Sequence, residues 1–302
     1  MSEGSKTTKV ALVKTKDRRE GIRKSIELLG INPVQGKNTV LKPNFNTADP
    51  YPGSTHPETL GELLKCIDDM GAKSITIAER SGPVDSAEVM EQLGADKIAS
   101  EHGAGLINID QLNEEKLNKV DPPGSHWKDG FKVSKLLQEA ECIIASPCLK
   151  THQFGGVFTM ALKLAVGIVP KAGTNYMPEL HSSPHMGKMI AEINYAYHPD
   201  LIVLDGIEAF VEEGPMTGKK KNADLFLAGT DRIAVDAVGL AILKELGSTR
   251  QIMETPIFEQ EQIKRAVELG LGVNNPAHIE LLTGDQQSEE YAGKIKEILV
   301  HG

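Results

Sequence analysis

The clearest pattern in the chain is CIIASPCLKTH, residues 142–152, in which an apolar run passes directly into a polar one. A short apolar run that ends at a proline is typical of a strand buried on both faces. We expect Cys142–Pro147 to form such a strand, with the polar residues 148–152 following its carboxyl end. A strand of this kind needs other elements packed on both of its faces, so the pattern predicts an α/β fold.

The same alternation of strand and helix patterns extends over the rest of the 302 residues. Further apolar runs typical of strands occur at residues 9–15, 39–44, 74–79, 201–205, 225–229 and 279–282. Stretches with apolar residues at helical spacing, such as 18–29 and 233–246, lie between them. Parallel strands need long crossover connections, so we predict a mostly parallel sheet with helices on both faces.

We predict a flexible N-terminal segment, residues 1–8, and a single α/β domain over residues 9–302. No change of composition marks a domain boundary. A smaller second lobe that begins near residue 130 stays open as an alternative, because residues 111–130 are polar and predict a loop or a hairpin.

Composition excludes several classes of protein. The 33 Lys and Arg residues against 42 Asp and Glu give a net charge of −9, whereas a nucleic-acid-binding protein needs a basic face. The chain has no run of about 20 apolar residues to span a membrane, and residues 1–10 lack the apolar core of a signal peptide. Three cysteines, an odd number, suit a reducing compartment. We therefore expect a cytoplasmic protein without a nucleic-acid or membrane partner.

Polar residues follow five of the predicted strands, and ligands of α/β sheets bind outside the carboxyl ends of strands. One explanation is that strand ends simply meet water; the concentration of Lys, His and carboxylates favours a shared site. The five polar segments are Lys42-Pro43-Asn44, Glu79-Arg80-Ser81, Cys148–His152, Asp205-Gly206 and Thr230-Asp231-Arg232.

The segment after residue 147 contains the side chains best suited to binding and proton transfer. Lys150 can bind an anion, and His152 can transfer a proton because imidazole titrates near neutrality. Gly155-Gly156 would expose backbone N–H groups to an anion at the start of a predicted buried helix, residues 157–166. Lys163 is the only charge in that helix. If it is buried, either its pKa is lowered or it needs an anionic partner; the alternative is that it extends to the surface.

The sequence thus gives two sets of candidates. Catalytic roles are predicted for His152, Lys163 and Glu79, and substrate-binding roles for Lys42, Asn44, Lys150, Thr151, Gly155, Gly156 and Asp205.

A divalent metal ion is a further possibility. His181 and His185 are four residues apart, although Pro184 argues against one helix carrying both, and His56 precedes a predicted helix. A structural role stays open for each of these histidines. The motifs of phosphate-binding loops, dinucleotide-binding folds, α/β-hydrolases and zincins do not occur in the sequence.

Taken in order, these motifs resemble the domain-of-unknown-function family 362 over about residues 9–250. The first half of the resemblance rests on Lys42-Pro43-Asn44, Thr55-His56-Pro57, Gly71-Ala72-Lys73 and Glu79-Arg80-Ser81. The second half rests on Lys150-Thr151-His152, residues 159–167 with Lys163, His185, Asp205-Gly206, Gly214-Pro215 with Gly218, and residues 231–236. The chain departs from the family pattern at Leu164, where Asn is common.

The resemblance implies a shared site but no assigned reaction. Some members of the family carry ferredoxin-type cysteine motifs, which this chain lacks, so we do not expect an iron–sulfur cluster. Three hypotheses remain: an enzyme that binds a small anionic substrate at the carboxyl edge of the sheet; a metal-dependent racemase or isomerase, by remote analogy with nickel-dependent lactate racemases; and a non-catalytic ligand-binding or accessory protein for a redox or cofactor-maturation system.

Overall fold

A computed structural model describes residues 7–171 and 175–302, and its main feature is a ten-stranded sheet. The strands of this sheet are β1 (Thr8–Lys14), β2 (Asn38–Lys42), β3 (Ser74–Glu79), β4 (Gly105–Asn108), β7 (Cys142–Ala145), β8 (Cys148–His152), β9 (Val157–Thr159), β10 (Leu201–Glu213), β11 (Gly218–Gly229) and β12 (Ile279–Leu282). The predicted flexible segment falls mainly on residues 1–6, which lie outside the described residues.

The strand order is β12-β1-β11-β10-β7-β2-β3-β4. Neighbouring strands are parallel except around β11, which is antiparallel to both β1 and β10. β8 continues the chain beyond β7 and pairs with the distal part of β10, while β9 is antiparallel to β8. The predicted mostly parallel sheet is confirmed.

Helices cover both faces of the sheet. They are α1 (Arg18–Leu29), α2 (Pro57–Asp69), α3 (Ser86–Gln92), α4 (Ala95–Glu101), α5 (Lys135–Gln138), α6 (Ala161–Leu164), α7 (Met177–Ser182), α8 (Met186–Ile193), α9 (Arg232–Leu246), α10 (Arg250–Glu254), α11 (Glu261–Glu268) and α12 (Gln286–His301). Val10 and Leu12 of β1 pack into a core with α9 and α12, whereas Ala11 packs into a second core with α1 and α2. Alternate side chains of one strand thus enter opposite layers, as the period of a strand requires.

A small separate sheet consists of β5 (Leu117–Val120) and β6 (Phe131–Ser134), paired antiparallel. Phe131 and Val133 share an apolar cluster with Val40 and Ile143 of the main sheet. The loop or hairpin predicted for residues 111–130 is a hairpin whose second strand lies beyond this range, at Phe131–Ser134. The division into lobes near residue 130 stays a prediction.

Two local predictions were wrong. Val157–Thr159, expected to begin a helix, forms β9, because it finds hydrogen-bonding partners along β8. The helix is reduced to α6 and a following 3-10 turn over Ala165–Ile168. The sequence from Pro170 to Pro184 predicts turns. Among its described residues α7 nevertheless forms a helix, and Leu180 of α7 is buried in the cluster of the small sheet.

The polar segment Thr230–Arg232 lies at the opposite edge of the sheet from the other four, because β11 runs antiparallel to its neighbours. Asp231 accepts hydrogen bonds from the N–H groups of Ile233 (2.8 Å) and Ala234 (3.0 Å) and so caps α9. This segment therefore has a structural role.

Within the described ranges no helix is both long enough and apolar enough to cross a bilayer.

Asp236, inside α9, fixes the position of α6. Its carboxylate is fully buried and accepts hydrogen bonds from the N–H groups of Ala161 (2.7 Å) and Leu162 (2.9 Å). Burial raises the pKa of this carboxyl to about 7, and the two N–H donors act against that rise. The short helix that carries Lys163 is thereby attached to α9.

We expect Asp236→Ala to lower the free energy of unfolding by about 3 kcal/mol, because two buried N–H groups would lose their acceptor. Urea unfolding at pH 7 measures this. Asp129→Ala is the matched control, since Asp129 is exposed, and its effect should stay within about 0.5 kcal/mol. Equal stabilities of the two variants would contradict the anchoring role.

Candidate functional site

A cavity of about 560 Å³ opens at the carboxyl ends of β2 and β3 and extends along β8 to α6. Seven of the predicted site residues line it: Lys42, Asn44, Glu79, Lys150, His152, Lys163 and His181. Three of the predicted polar segments, those after residues 41, 78 and 147, therefore meet at one place. Their functional roles stay predictions.

Lys42 and Glu79 form a buried ion pair at the base of the cavity. Lys42 Nζ donates to Glu79 Oε2 (2.6 Å) and to the carbonyl of Pro43 (3.0 Å). The N–H groups of Phe45 (3.1 Å) and Arg80 (2.7 Å) also donate to the carboxylate. Burial lowers the pKa of Lys42 and raises that of Glu79, while their attraction acts against both changes. Glu79 thus accepts three hydrogen bonds from the protein.

The ion pair of Lys42 and Glu79 packs directly against Gly167. A Cβ atom at position 167 would lie 2.3 Å from Glu79 Oε1 and 2.7 Å from Lys42 Nζ. Any side chain here would displace the pair from its place beside the cavity.

Lys150 is fully buried and has no carboxylate partner within the described residues. Its Nζ donates to the carbonyl groups of Gly53 and, at 3.3 Å, of Pro215. Burial lowers the pKa of Lys150 to about 8, although the nearby Cys148 and Asp49 favour the charged form. Two neutral carbonyl groups solvate this ammonium group only in part, so it can still bind an anion.

Arg80 also faces the cavity without an ion pair in the described part of the chain. Its guanidinium donates to the carbonyl groups of Val169 (2.8 Å), Ser81 (2.9 Å) and Val166 (3.0 Å). Sequence reasoning placed Arg80 in a strand-end segment but gave it no role; its position directly after Glu79 was the available signal.

Lys163 lies on α6 and lines the cavity together with other cationic side chains. It forms no hydrogen bond or ion pair with any described residue. Burial lowers its pKa to about 7, and repulsion from Lys150 and Arg80 adds to this effect. The departure at Leu164 adds apolar surface to the cavity beside it.

His152 is a neutral hydrogen-bond donor to the cavity. The N–H of Gly156 donates to its Nδ1 (3.2 Å), so the proton of the neutral ring lies on Nε2. Burial, with repulsion from Lys163 and Lys150, lowers the pKa of His152 far below its usual range. The N–H of Gly156 was expected to bind an anion. It orients His152 instead.

Four predicted substrate-binding residues do not line the cavity: Thr151, Gly155, Gly156 and Asp205. Gly155 is exposed, in the left-handed conformation (φ +82°), at the turn between β8 and β9. Thr151 is buried, and its Oγ1 has no hydrogen-bond partner in the described structure. Asp205 lies inside the long strand β10 rather than at its end.

Asp205 ties together four parts of the fold. Its carboxylate accepts hydrogen bonds from Tyr51 OH (2.6 Å), Thr59 Oγ1 (2.6 Å) and Arg18 Nε (3.2 Å). Only about 1% of the residue is exposed. These contacts join β10 to α1, to α2 and to the loop before α2.

The three candidate metal ligands have separate surroundings. His56 Nδ1 accepts a hydrogen bond from the N–H of Glu58 (3.1 Å) and caps α2. His181 lines the cavity, and His185 stacks on His126 with ring centroids 4.8 Å apart. Over residues 7–171 and 175–302, no group of three or more His, Cys, Asp or Glu side chains could hold a metal ion. Pro184 separates α7 from α8, as expected.

The cysteines are free and buried. Burial raises the pKa of Cys66 and Cys148 to about 12 and that of Cys142 to about 11, so all three are thiols near neutral pH. Cys148 accepts a weak hydrogen bond from Asn44 Nδ2 (3.7 Å).

Several residues that line the cavity were given no role by the sequence motifs. Lys171 lines it and pairs with Asp110 (3.2 Å). Thr159 is 6% exposed, and its Oγ1 has no partner in the described structure. Apolar side chains complete the walls: Phe45, Phe154, Leu164, Val166, Met177 and Met216.

We expect Asp205→Asn to lower the free energy of unfolding by about 2 kcal/mol or more, because a buried carboxylate that holds Arg18 and two hydroxyl groups would be lost. The control is Asp224→Asn, whose carboxylate forms a more exposed pair at 3.8 Å and should change little. Urea unfolding measures both. An unchanged stability would contradict the structural role of Asp205.

Comparisons with known proteins agree on a family. The sequence model of the family described as "Domain of unknown function (DUF362)" matches residues 39–241, a range that contains every charged residue of the cavity. The chain is also 27% identical over 226 residues to a thylakoid-associated protein of Synechocystis sp.. That match covers 69% of this chain and 64% of the relative, so the chain spans less than two thirds of it. The resemblance seen in the sequence motifs is confirmed, and the chain belongs to the domain-of-unknown-function family DUF362.

Proposed function

We propose that the chain is an enzyme that binds a small anionic substrate in the cavity between β2, β3, β8 and α6. One observation carries the proposal: Arg80, Lys150 and Lys163 line one cavity, and none of them forms an ion pair with a carboxylate of a described residue.

The charges of the cavity do not balance without a ligand. Lys42 is matched by Glu79, and Lys171 is matched by Asp110. The three remaining cations repel one another in surroundings of low polarity, where unpaired charges cost several kcal/mol. An anionic group among them would offset this cost. The local excess of positive charge contrasts with the net charge of −9 of the whole chain.

The walls of the cavity indicate the rest of the substrate. Phe45, Phe154, Leu164, Val166 and Met177 present apolar surface, which suits a ligand with an apolar part. The unpartnered hydroxyl of Thr159 and the Nε2–H of His152 are available to a polar group beside the anion. We infer a carboxylate or phosphate that bears a small apolar substituent.

The lowered pKa values of two lysines in the cavity favour a catalytic role over ligand binding alone. Lys163 and Lys150 have pKa values of about 7 and about 8, so both can exchange protons near neutral pH. The metal-dependent alternative has less support, since its candidate histidines lie in separate surroundings. A ligand that binds and is recovered unchanged would favour the accessory-protein alternative.

We propose a reducing, cytoplasmic location, supported by three free cysteines. The alternative is association with a membrane surface, which is suggested by the name of the Synechocystis relative, a thylakoid-associated protein. Fractionation of cells that express the tagged full chain distinguishes the two: recovery in the salt-washed membrane pellet would contradict the proposed location.

We expect Lys150→Met to weaken binding of a small carboxylate at least tenfold, because a fully buried ammonium group without a carboxylate partner among the described residues would be lost. Isothermal titration calorimetry with 4-methylpentanoate, and in parallel with inorganic phosphate, measures the change. Lys97→Met is the control, since the Lys97 side chain is 79% exposed on α4. No binding of either anion, or equal binding by both variants, would contradict the proposal.

The pH dependence of the same titration follows from the lysines. Lys163 and then Lys150 lose their protons as the pH rises through about 7 and about 8. The carboxylate of 4-methylpentanoate stays ionised over this range, so its affinity should fall between pH 6 and pH 9. Glu79 is held by Lys42, and His152 stays neutral, so neither reverses this trend. Affinity that is constant over this range would show that the two lysines do not bind the anion.

A further inference from the structure

We propose that Lys163 acts as a nucleophile and forms a Schiff base with a small 2-oxo acid held in the cavity. This inference rests on the proposed function, because it uses the same anion-binding cations to place the substrate. It adds a covalent step, a reacting atom and a substrate class.

The geometry singles out Lys163 among the lysines of the cavity. Lys42 Nζ is bound to Glu79 and Pro43, and Lys171 Nζ to Asp110, Gly82 and Val84. Lys150 Nζ donates to two backbone carbonyl groups. Lys163 Nζ has no partner among the described residues, so its lone pair, once the proton is lost, is free to attack.

The side chain of Lys163 is also held in place. Gly156 lies against it: a Cβ atom at position 156 would be 2.7 Å from Lys163 Cε and 2.8 Å from His152 Nδ1. Asp236 fixes the first turn of α6 through two backbone N–H groups. A reactive amine that is positioned by its surroundings loses little entropy on attack.

The electrostatic surroundings favour the neutral, nucleophilic form of the amine. Lys163 faces Lys150 and Arg80, and burial lowers its pKa to about 7. Near neutral pH a large fraction of such an amine is neutral, whereas an exposed lysine with a pKa of about 10.4 is almost wholly protonated. The neutral fraction is therefore larger by on the order of a thousandfold. Desolvation together with a neighbouring cation is a known way to activate a lysine.

The covalent step balances without an oxidant or a reductant. The neutral amine attacks the carbonyl carbon, so that the C–N bond forms and the C=O electron pair moves to oxygen. Two protons pass from nitrogen to this oxygen, through Lys150 or water, and the oxygen leaves as water. The product is an imine between Nζ and the former carbonyl carbon, which becomes an electron-withdrawing iminium when protonated.

The neighbouring cations define the substrate class. Because Lys150, Arg80 and Lys163 line one cavity, a substrate whose carboxylate binds to Lys150 and Arg80 can present an adjacent carbonyl group to the Lys163 amine. This is the arrangement of a 2-oxo acid. The apolar walls accommodate its side chain, and the Nε2–H of His152 and the Thr159 hydroxyl are available to the oxygen atoms.

The test is reductive trapping of the full-length chain with 4-methyl-2-oxopentanoate and sodium cyanoborohydride at pH 7.5, followed by peptide mass spectrometry. We expect one reduced adduct, on Lys163, and its loss in Lys163→Arg. The arginine variant keeps a positive charge but cannot form the imine. Lys97→Met should be trapped like the wild type, because Lys97 is distant from the cavity on α4.

The 2-hydroxy acid, 4-methyl-2-hydroxypentanoate, separates the two proposals, because it has the same anion but no carbonyl group. Calorimetric binding of both acids without trapping on Lys163, or trapping spread over exposed lysines, would overturn the Schiff base and leave the proposed anion site standing. Absence of binding by both acids would overturn the proposed function as well. Folding of each variant is checked by its unfolding temperature, and wild-type trapping gives the result independently of the variants.

Discussion

The cavity is governed by an imbalance of buried charge. Five cationic side chains line it, and Glu79 is the only carboxylate among the lining residues that the structure describes. Glu79 is committed to Lys42, so backbone carbonyl groups are the main solvation for Arg80 and Lys150. Because the free energy of such charges is high in surroundings of low polarity, they favour either an anionic ligand or the loss of a proton. Binding of an anionic ligand is the basis of the proposed function, and loss of a proton from Lys163 is the basis of the proposed Schiff base.

The fold brings these charges together through a few close contacts. Parallel β2 and β3 end side by side and place Lys42 beside Glu79. β8 follows β7, pairs parallel with β10 and brings Lys150 and His152 to the cavity. Gly156 and Gly167 allow α6 and the following turn to approach this layer, since a side chain at either position would collide with the charged groups. The site therefore depends on backbone packing as much as on the charged residues.

The prediction from sequence succeeded where the chemistry follows a strand directly. Lys42 and Glu79 end their strands, and parallel pairing must bring those ends together. It failed where pairing extends a strand: β10 continues for 13 residues, so Asp205 lies within it and serves a structural network. The N–H of Gly156 was assigned to an anion because its partner, His152, lies four residues earlier across a turn that periodicity does not reveal. The direction of β11 was also not predicted, because its apolar pattern does not show that it runs antiparallel to its neighbours.

The most direct test of the charge imbalance is the pKa of Lys163, measured by NMR titration of the lysine side chains with and without a saturating small carboxylate. The account predicts a value near 7 in the free protein and a clear rise when the anion is bound, because proton and anion stabilise one another. A value near that of an exposed lysine, unchanged by the anion, would contradict it.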